Sequence, residues 1–249
     1  MGELEGLVAI VTGAARNIGR AIALDLAAGG AKLAIVTKSD IEGVNAVAKD
    51  IEAKGGKAIP LQADVSDQAS VRNMVAETIG KFGRIDILVN NAGVRPESPL
   101  GDLSWDEWRN VQGVILDGAF LCSQAVFPYI EKNGCGTIIN IGGLTAYTGA
   151  AHRVHVVSAK AGLDGLTKAL AVELAPRGVT VNLVSPGLIE TVRGKSSTAV
   201  PAHHKKRTTL LGRRGKPEEI ASMVRYLVGP KARYLTGQTI HANGGAFLP

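Results

Sequence analysis

The chain alternates short, continuously apolar runs with longer stretches in which apolar residues recur at helical spacing. Leu7–Val11, Lys32–Thr37, Ala58–Gln62, Ile87–Val89, Thr137–Ile141, Thr180–Val184 and Thr239–His241 have strand length and little polar alternation. Runs rich in Val, Ile and Leu are what parallel strands buried on both faces require. Ile18–Ala28, Ile41–Lys54, Gln68–Phe82, Trp105–Ile130, Val154–Leu174 and Pro217–Leu227 carry the helical pattern. Strand and helix taking turns predict βα units with right-handed crossovers, hence an α/β, doubly wound parallel sheet with helices on both faces. No linker, internal repeat or low-complexity tract interrupts the pattern, so residues 1–249 read as a single domain. The one long irregular stretch, 190–216, has the length of a substrate lid or binding loop.

Composition narrows the class. A chain of 249 residues, 45% of them hydrophobic, is ample for one α/β core. Its 31 glycines and 4% aromatic content suit close helix–sheet packing and tight turns. Cys122 and Cys135 form no disulfide framework and have no metal-site spacing, so no metal is expected and a reducing, cytoplasmic setting is favoured. Residues 1–11 lack a basic leader region and pass directly into a strand, and no apolar run approaches the ~20 residues of a membrane span. The net charge of +6 gathers in His203-His204-Lys205-Lys206-Arg207 and Arg213-Arg214-Gly215-Lys216. A solvated basic loop is the plain reading of these segments. Attraction of an anionic small-molecule substrate is the functional one. Nucleic-acid binding is set aside, because no aromatic platform or binding motif accompanies the charge.

The first strand runs into Thr12-Gly13-Ala14-Ala15-Arg16-Asn17-Ile18-Gly19-Arg20. A glycine turn between strand and helix lets backbone N–H groups and the positive helix end meet a pyrophosphate. Gly13 permits the turn and Gly19 the close packing of helix on strand. The second strand ends at Thr37-Lys38-Ser39. NAD enzymes usually place a carboxylate near this point for the ribose 2′-hydroxyl, and none stands at 37. Thr37, Lys38 and Arg16 would accept a 2′-phosphate, so NADP is expected over NAD; otherwise Lys38 is a solvated turn residue. Asp64-Val65 ends the third strand, where an acid can bind the adenine amine.

Asn90-Asn91-Ala92-Gly93 ends the fourth strand, Ser185-Pro186-Gly187-Leu188-Ile189-Glu190-Thr191 follows the sixth, and Asn243-Gly244-Gly245 lies near the end. With the glycine turn, these motifs resemble the classical short-chain dehydrogenase/reductase family over essentially the whole chain, in order and at similar spacing. The resemblance implies a Rossmann fold whose seven-stranded parallel sheet has the order 3-2-1-4-5-6-7. It implies Asn91, Ala92 and Gly93 along the adenosine ribose, and Ile189 and Thr191, after Pro186 and Gly187, on the nicotinamide carboxamide. It puts Lys160 on the nicotinamide ribose. The middle glycine of the family's TGxxxGxG is here Asn17, which narrows the space beside the phosphates yet tolerates positive φ and can hydrogen-bond a phosphate.

The resemblance also implies a tyrosine acid/base, a serine that polarises the carbonyl and an asparagine that holds a relay water. Counted from Lys160, the tyrosine slot is Val156, the serine slot Gly143 and the asparagine slot Ile115. Three residues are weighed as replacement donors: His152, one turn before Val156 if the helix starts early; His155, next to the slot but about 100° around the helix; and Tyr147, four residues after Gly143. For each the plain alternative is a role in a loop, an interface or packing. Arg95 and Arg153 could clamp an anion. Three functions follow: an NADP(H)-dependent oxidoreductase with a non-standard proton donor, a non-redox enzyme such as an isomerase, lyase or cyclase, and an inactive NADP-binding protein. The family habit and the apolar tail Gly245–Pro249 suggest a homotetramer or homodimer.

Overall fold

In a computed structural model, residues 2–192 and 208–249 are described. Seven strands, β1 (Val8–Thr12), β2 (Lys32–Thr37), β3 (Lys57–Gln62), β4 (Ile87–Asn90), β5 (Gly136–Ile141), β6 (Val179–Pro186) and β7 (Thr239–Ala242), form one sheet. Its order is β3-β2-β1-β4-β5-β6-β7, and every neighbouring pair is parallel. Strands β1, β4, β5 and β6 are buried along their whole length, whereas the edge strands β3 and β7 are partly open. That gradient explains the unbroken apolar runs in the central strands: with helices on both faces, neither side of the pleat meets water.

The helices are α1 (Asn17–Ala28), α2 (Ile41–Glu52), α3 (Gln68–Phe82), α4 (Trp105–Gln112), α5 (Gly118–Ile130), α6 (Thr145–Thr148), α7 (Val154–Leu174) and α8 (Pro217–Val228). One core layer joins Ile22 and Leu26 of α1, Val47 and Ile51 of α2 and Val224 and Leu227 of α8 to the sheet. The opposite layer holds Val71 and Met74 of α3, Val126 and Ile130 of α5 and Ala171 and Leu174 of α7. A third, smaller cluster packs Val111, Ile115 and Ala119 against Val156, Ala159 and Leu163 of α7 and Leu183. Aspartate caps start α2 and α3: Asp40 and Asp67 accept from the N–H groups of Gly43 and Ser70.

Trp105–Ile130 is not one regular α-helix: a π-helical stretch, Gly113–Asp117, separates α4 from α5. The run Trp105–Asn133, 29 residues at mean hydropathy 1.4, is long and apolar enough by length and composition to cross a membrane, which the apolar runs read alone do not suggest. Its Cys122, Val126 and Ile130 are instead core residues packed with Leu88 and Ile138 of the sheet. The sheet order reverses between β1 and β4, and the crevice at their C-terminal ends is where doubly wound folds bind ligands.

Candidate active site

That crevice is a cleft of about 590 Å³, lined from the glycine turn through the ends of β2 and β4 to α7 and the segment after β6. Its floor is a set of main-chain contacts held by two side chains. Thr12 Oγ1 donates to the Val89 carbonyl and accepts from the N–H groups of Asn91 and Ala92, both at 3.0 Å. Asn91 Nδ2 donates back to the carbonyls of Thr12 and Gly13, each at 2.9 Å. The turns after β1 and β4 are thereby locked together. The approach is too close for side chains: a Cβ on Gly13 would lie 2.9 Å from Ala92 Cα, and one on Gly19 2.3 Å from the Gly13 carbonyl oxygen. Helix α1 starts with no side-chain cap and no acidic residue in its first turn, so its unpaired N–H groups and positive end are left for an anion.

At the other end of the floor, Lys38 Nζ lies 2.6 Å from the Asp64 carboxylate. Burial pushes the Asp64 pKa up, but hydrogen bonds from Lys38 and Ser66 outweigh it and the net shift is downward. Two residues assigned separately from sequence, the adenine-side acid and the 2′-phosphate lysine, are thus an ion pair. Arg16 lies 3.9 Å from Asp40, whose carboxylate caps α2. Thr37 Oγ1 accepts from the Asp40 N–H. Ser39 and Asp40 also line this end.

Among the residues expected to touch a dinucleotide, Gly13, Arg16, Asn17, Ile18, Gly19, Thr37, Lys38, Asp64, Val65, Asn91, Ala92, Gly93, Lys160, Pro186, Gly187, Ile189 and Thr191 all line the cleft. Asn17 differs in one respect. Its φ is +51°, as its tolerance of the left-handed region allows, but its amide does not point to the floor. Nδ2 donates to the Val192 carbonyl at 2.8 Å, and Oδ1 accepts from the Val192 N–H at 2.9 Å.

Lys160 sits at the far end of the cleft, where its Nζ donates to the Ile141 carbonyl. Burial, then the positive charge of Arg95, lowers its pKa to about 7. One turn earlier on α7, Val156 also lines the cleft and is only 3% exposed; Ile115, 2% exposed, shares its apolar cluster. A Cβ on Gly93 would stand 3.9 Å from Ile115 and 4.0 Å from Lys160 Nζ, so these two side chains flank one small space. Gly143 opens on that end, and a Cβ there would meet nothing within 4 Å.

None of the three replacement donors lines the cleft. His152 has φ +59° and lies outside α7, which starts at Val154. The early helix start that would align it with Val156 and Lys160 is therefore lost, and its carbonyl instead accepts from the Ser98 N–H. His155 is fully buried within its own chain, with Nε2 3.0 Å from Glu107; the helical phase that turns it from Val156 points it into α4 rather than toward an interface. Tyr147 lies on α6, where its hydroxyl donates to Asp164 at 3.1 Å and its ring packs edge-on to His241 and stacks on Phe247. Burial, the first cause, raises its pKa and weakens it as an acid. Phe247 of the C-terminal tail is thus engaged within the chain. Arg95 and Arg153 do line the cleft, the latter nearly buried and paired with Glu97 at 2.9 Å.

Val192 and Arg214, within the 190–216 stretch read as a lid or binding loop, line the cleft. Asn110 and Thr145 also line it and carry no assignment from sequence. Thr145 sits two residues beyond Gly143, a signal that could have found it; Asn110 arrives by tertiary packing. Of the irregular 190–216 stretch, Gly215 bridges to Ile189, and Glu190 donates to its carbonyl. The basic run at 203–207 lies outside the described residues. Among the described residues no cluster of three or more His, Cys, Asp or Glu could hold a metal.

The family profile described as Enoyl-(Acyl carrier protein) reductase matches residues 13–246. A 3-oxoacyl-[acyl-carrier-protein] reductase of Synechocystis sp. is 42% identical over 249 residues, covering all of both chains. Among solved structures, a dehydrogenase/reductase from Sinorhizobium meliloti superposes with a TM-score of 0.92 at 35% identity, covering 98% of this chain and 96% of that one. A short chain dehydrogenase from Burkholderia cenocepacia in complex with NADP gives 0.91 at 37% identity, covering 98% and 99%.

Proposed function

This chain belongs to the short-chain dehydrogenase/reductase family, and from that premise we propose that it is an NADP(H)-dependent oxidoreductase whose proton donor is not a tyrosine. The observation that carries the reading is the retained cofactor half ending at Lys160, a partly buried amine on the cleft wall. The residues fit the dinucleotide. Gly13 and Gly19 let the turn pack main chain on main chain at the cleft floor, and the uncapped start of α1 supplies N–H donors for a pyrophosphate there. Arg16 and Lys38 would hold the 2′-phosphate, with Lys38 turning from Asp64 to reach it. The NADP named for the Burkholderia structure supports the same choice. When bound, the nicotinamide would supply or accept the hydride.

The proton is this chain's own problem. We read Val156, Gly143 and Ile115 as the family's tyrosine, serine and asparagine slots, all without a proton to give. Lys160, which burial brings to about 7, is then the cleft-lining group that we assign to proton exchange. It holds its ammonium on the Ile141 carbonyl and can pass a proton to an alkoxide formed in the space beside Gly143. Arg95 and Arg153 favour an anionic carbonyl or hydroxyl substrate. The 3-oxoacyl group named for the Synechocystis relative is the substrate class to try first. A homotetramer or homodimer in the cytoplasm, with no nucleic-acid or membrane partner, completes the reading.

The apolar catalytic end favours a second reading, a protein that binds NADP(H) without turnover. NADPH oxidation with an acetoacetyl thioester separates the two. Turnover by the natural chain supports the first. If only the triple variant Val156→Tyr, Gly143→Ser, Ile115→Asn turns over, the second holds and the scaffold is intact. Failure to bind NADPH at all overturns both.

A further inference from the structure

We propose that Asn17 is a cofactor-exchange clasp. The inference rests on the NADP(H) reading above. Three observations carry it. Asn17 stands inside the phosphate turn with φ +51°, and its side chain reaches the segment after β6. Its amide makes a two-way pair with one peptide unit, donating to the Val192 carbonyl at 2.8 Å and accepting from the Val192 N–H at 2.9 Å. The two partners are 175 positions apart in the chain, so the pair ties the turn after β1 to the segment after β6. Those are the two edges between which the pyrophosphate would lie.

The clasp is also a wall. Asn17, Thr191, Val192 and Arg214 line both the cleft and a second hollow of about 500 Å³ behind it, which Arg20 and Glu218 help to enclose. On this proposal the closed pair divides the two spaces along that edge, and the open pair joins them and leaves the phosphate turn reachable there. On the same proposal a dinucleotide passes this edge to seat its pyrophosphate on the α1 start and passes it again to leave.

Because the pair exists before any ligand arrives, opening it costs the same going in and coming out. A clasp therefore slows association and dissociation together and leaves affinity nearly alone. An ordinary contact to the cofactor would change dissociation only. This distinction is the test. NADPH association and dissociation are measured by stopped-flow fluorescence on the full chain and three variants. Asn17→Gly removes the amide while keeping a residue at ease with positive φ. Val192→Pro removes the N–H from the opposite side. The third variant combines them.

With both exposed hydrogen bonds of the pair lost, Asn17→Gly should speed both rates by roughly ten- to thirty-fold, with the ratio of the two rates changed by less than about three-fold. Val192→Pro should speed both by a smaller factor, and the double variant should be no faster than Asn17→Gly, because both changes break one device. Unchanged rates, a rise in dissociation alone, or additive effects in the double variant would each overturn the clasp while leaving the NADP(H) reading in place. If the natural chain binds no NADPH, both fall together.

Discussion

Replacing Lys160 by methionine should change how stability depends on pH in a way the structure specifies. In the unfolded chain the amine titrates at its ordinary value of 10.5; in the folded cleft, burial and the Arg95 charge bring it to about 7. Above 10.5 both states are neutral and the group adds no pH dependence. As pH falls from 10.5 to 7, the unfolded chain takes up a proton that the folded chain does not, so the folded state loses ground. Below 7 both states are protonated and the loss is complete. The full shift corresponds to about 4–5 kcal/mol; the part-buried stem and the Ile141 carbonyl that accepts from Nζ reduce our expectation to ~2–4 kcal/mol. Methionine fills the space of the stem, removes the titration and leaves the Ile141 carbonyl without its donor, at a pH-independent cost of about 1 kcal/mol. Relative to the natural chain, Lys160→Met should therefore be slightly less stable near pH 10.5 and more stable by roughly 1–3 kcal/mol near pH 6. Urea unfolding of the cofactor-free proteins, followed by far-ultraviolet circular dichroism across that range, gives the difference curve directly, and subtraction cancels the other titrating groups. A flat difference curve, or one sloping the other way, would refute the claim that Lys160 is held in an environment hostile to its charge.

Two further outcomes test other parts of the argument. Lys38→Glu should weaken NADPH binding about 10–100-fold with little effect on NADH, because it puts a carboxylate where the 2′-phosphate is expected; fluorescence titration with both nucleotides reads it, and equal weakening would remove Lys38 from that role. Asp86→Ala should cost about 1–3 kcal/mol in urea unfolding, since its buried carboxylate accepts from the buried Val8 N–H, from Arg84 at two atoms and from Asn133.

The fold was legible because its central strands obey one rule. A strand covered by helices on both faces can be apolar throughout, and β1, β4, β5 and β6 are buried from end to end. What escaped was local or long-range. Helix α6 has four residues, Thr145–Thr148, too few to show a period. The π-helical stretch at Gly113–Asp117 leaves no mark in a pattern that stays helical on both sides. In the site, the cofactor floor could be read from the chain because it is main-chain geometry marked by small residues. The donors could not, because the aim of a side chain depends on what packs opposite. His155 meets Glu107 of α4 and Tyr147 meets Asp164 of α7, partners 48 and 17 positions away. The positive φ that suits Asn17 to its turn was a local expectation; its attachment to Val192 was not.

The apolar positions around Lys160 are best understood together. Val156 and Ile115 belong to one packed cluster with Val111, Ala159 and Leu163, but Val156 also lines the cleft and Ile115 does not. Ile115→Asn by itself would therefore strand an amide among methyl groups at about 1–3 kcal/mol, whereas a side chain longer than valine at 156 has the cleft to extend into. The apolar filling also bears on Lys160. It removes polar neighbours that would solvate the Lys160 ammonium, leaving the Ile141 carbonyl as its hydrogen-bond partner and burial as the leading cause of its lowered pKa. On the proposed slot assignment, the amine that burial and the Arg95 charge bring to about 7 is the group left to serve as donor.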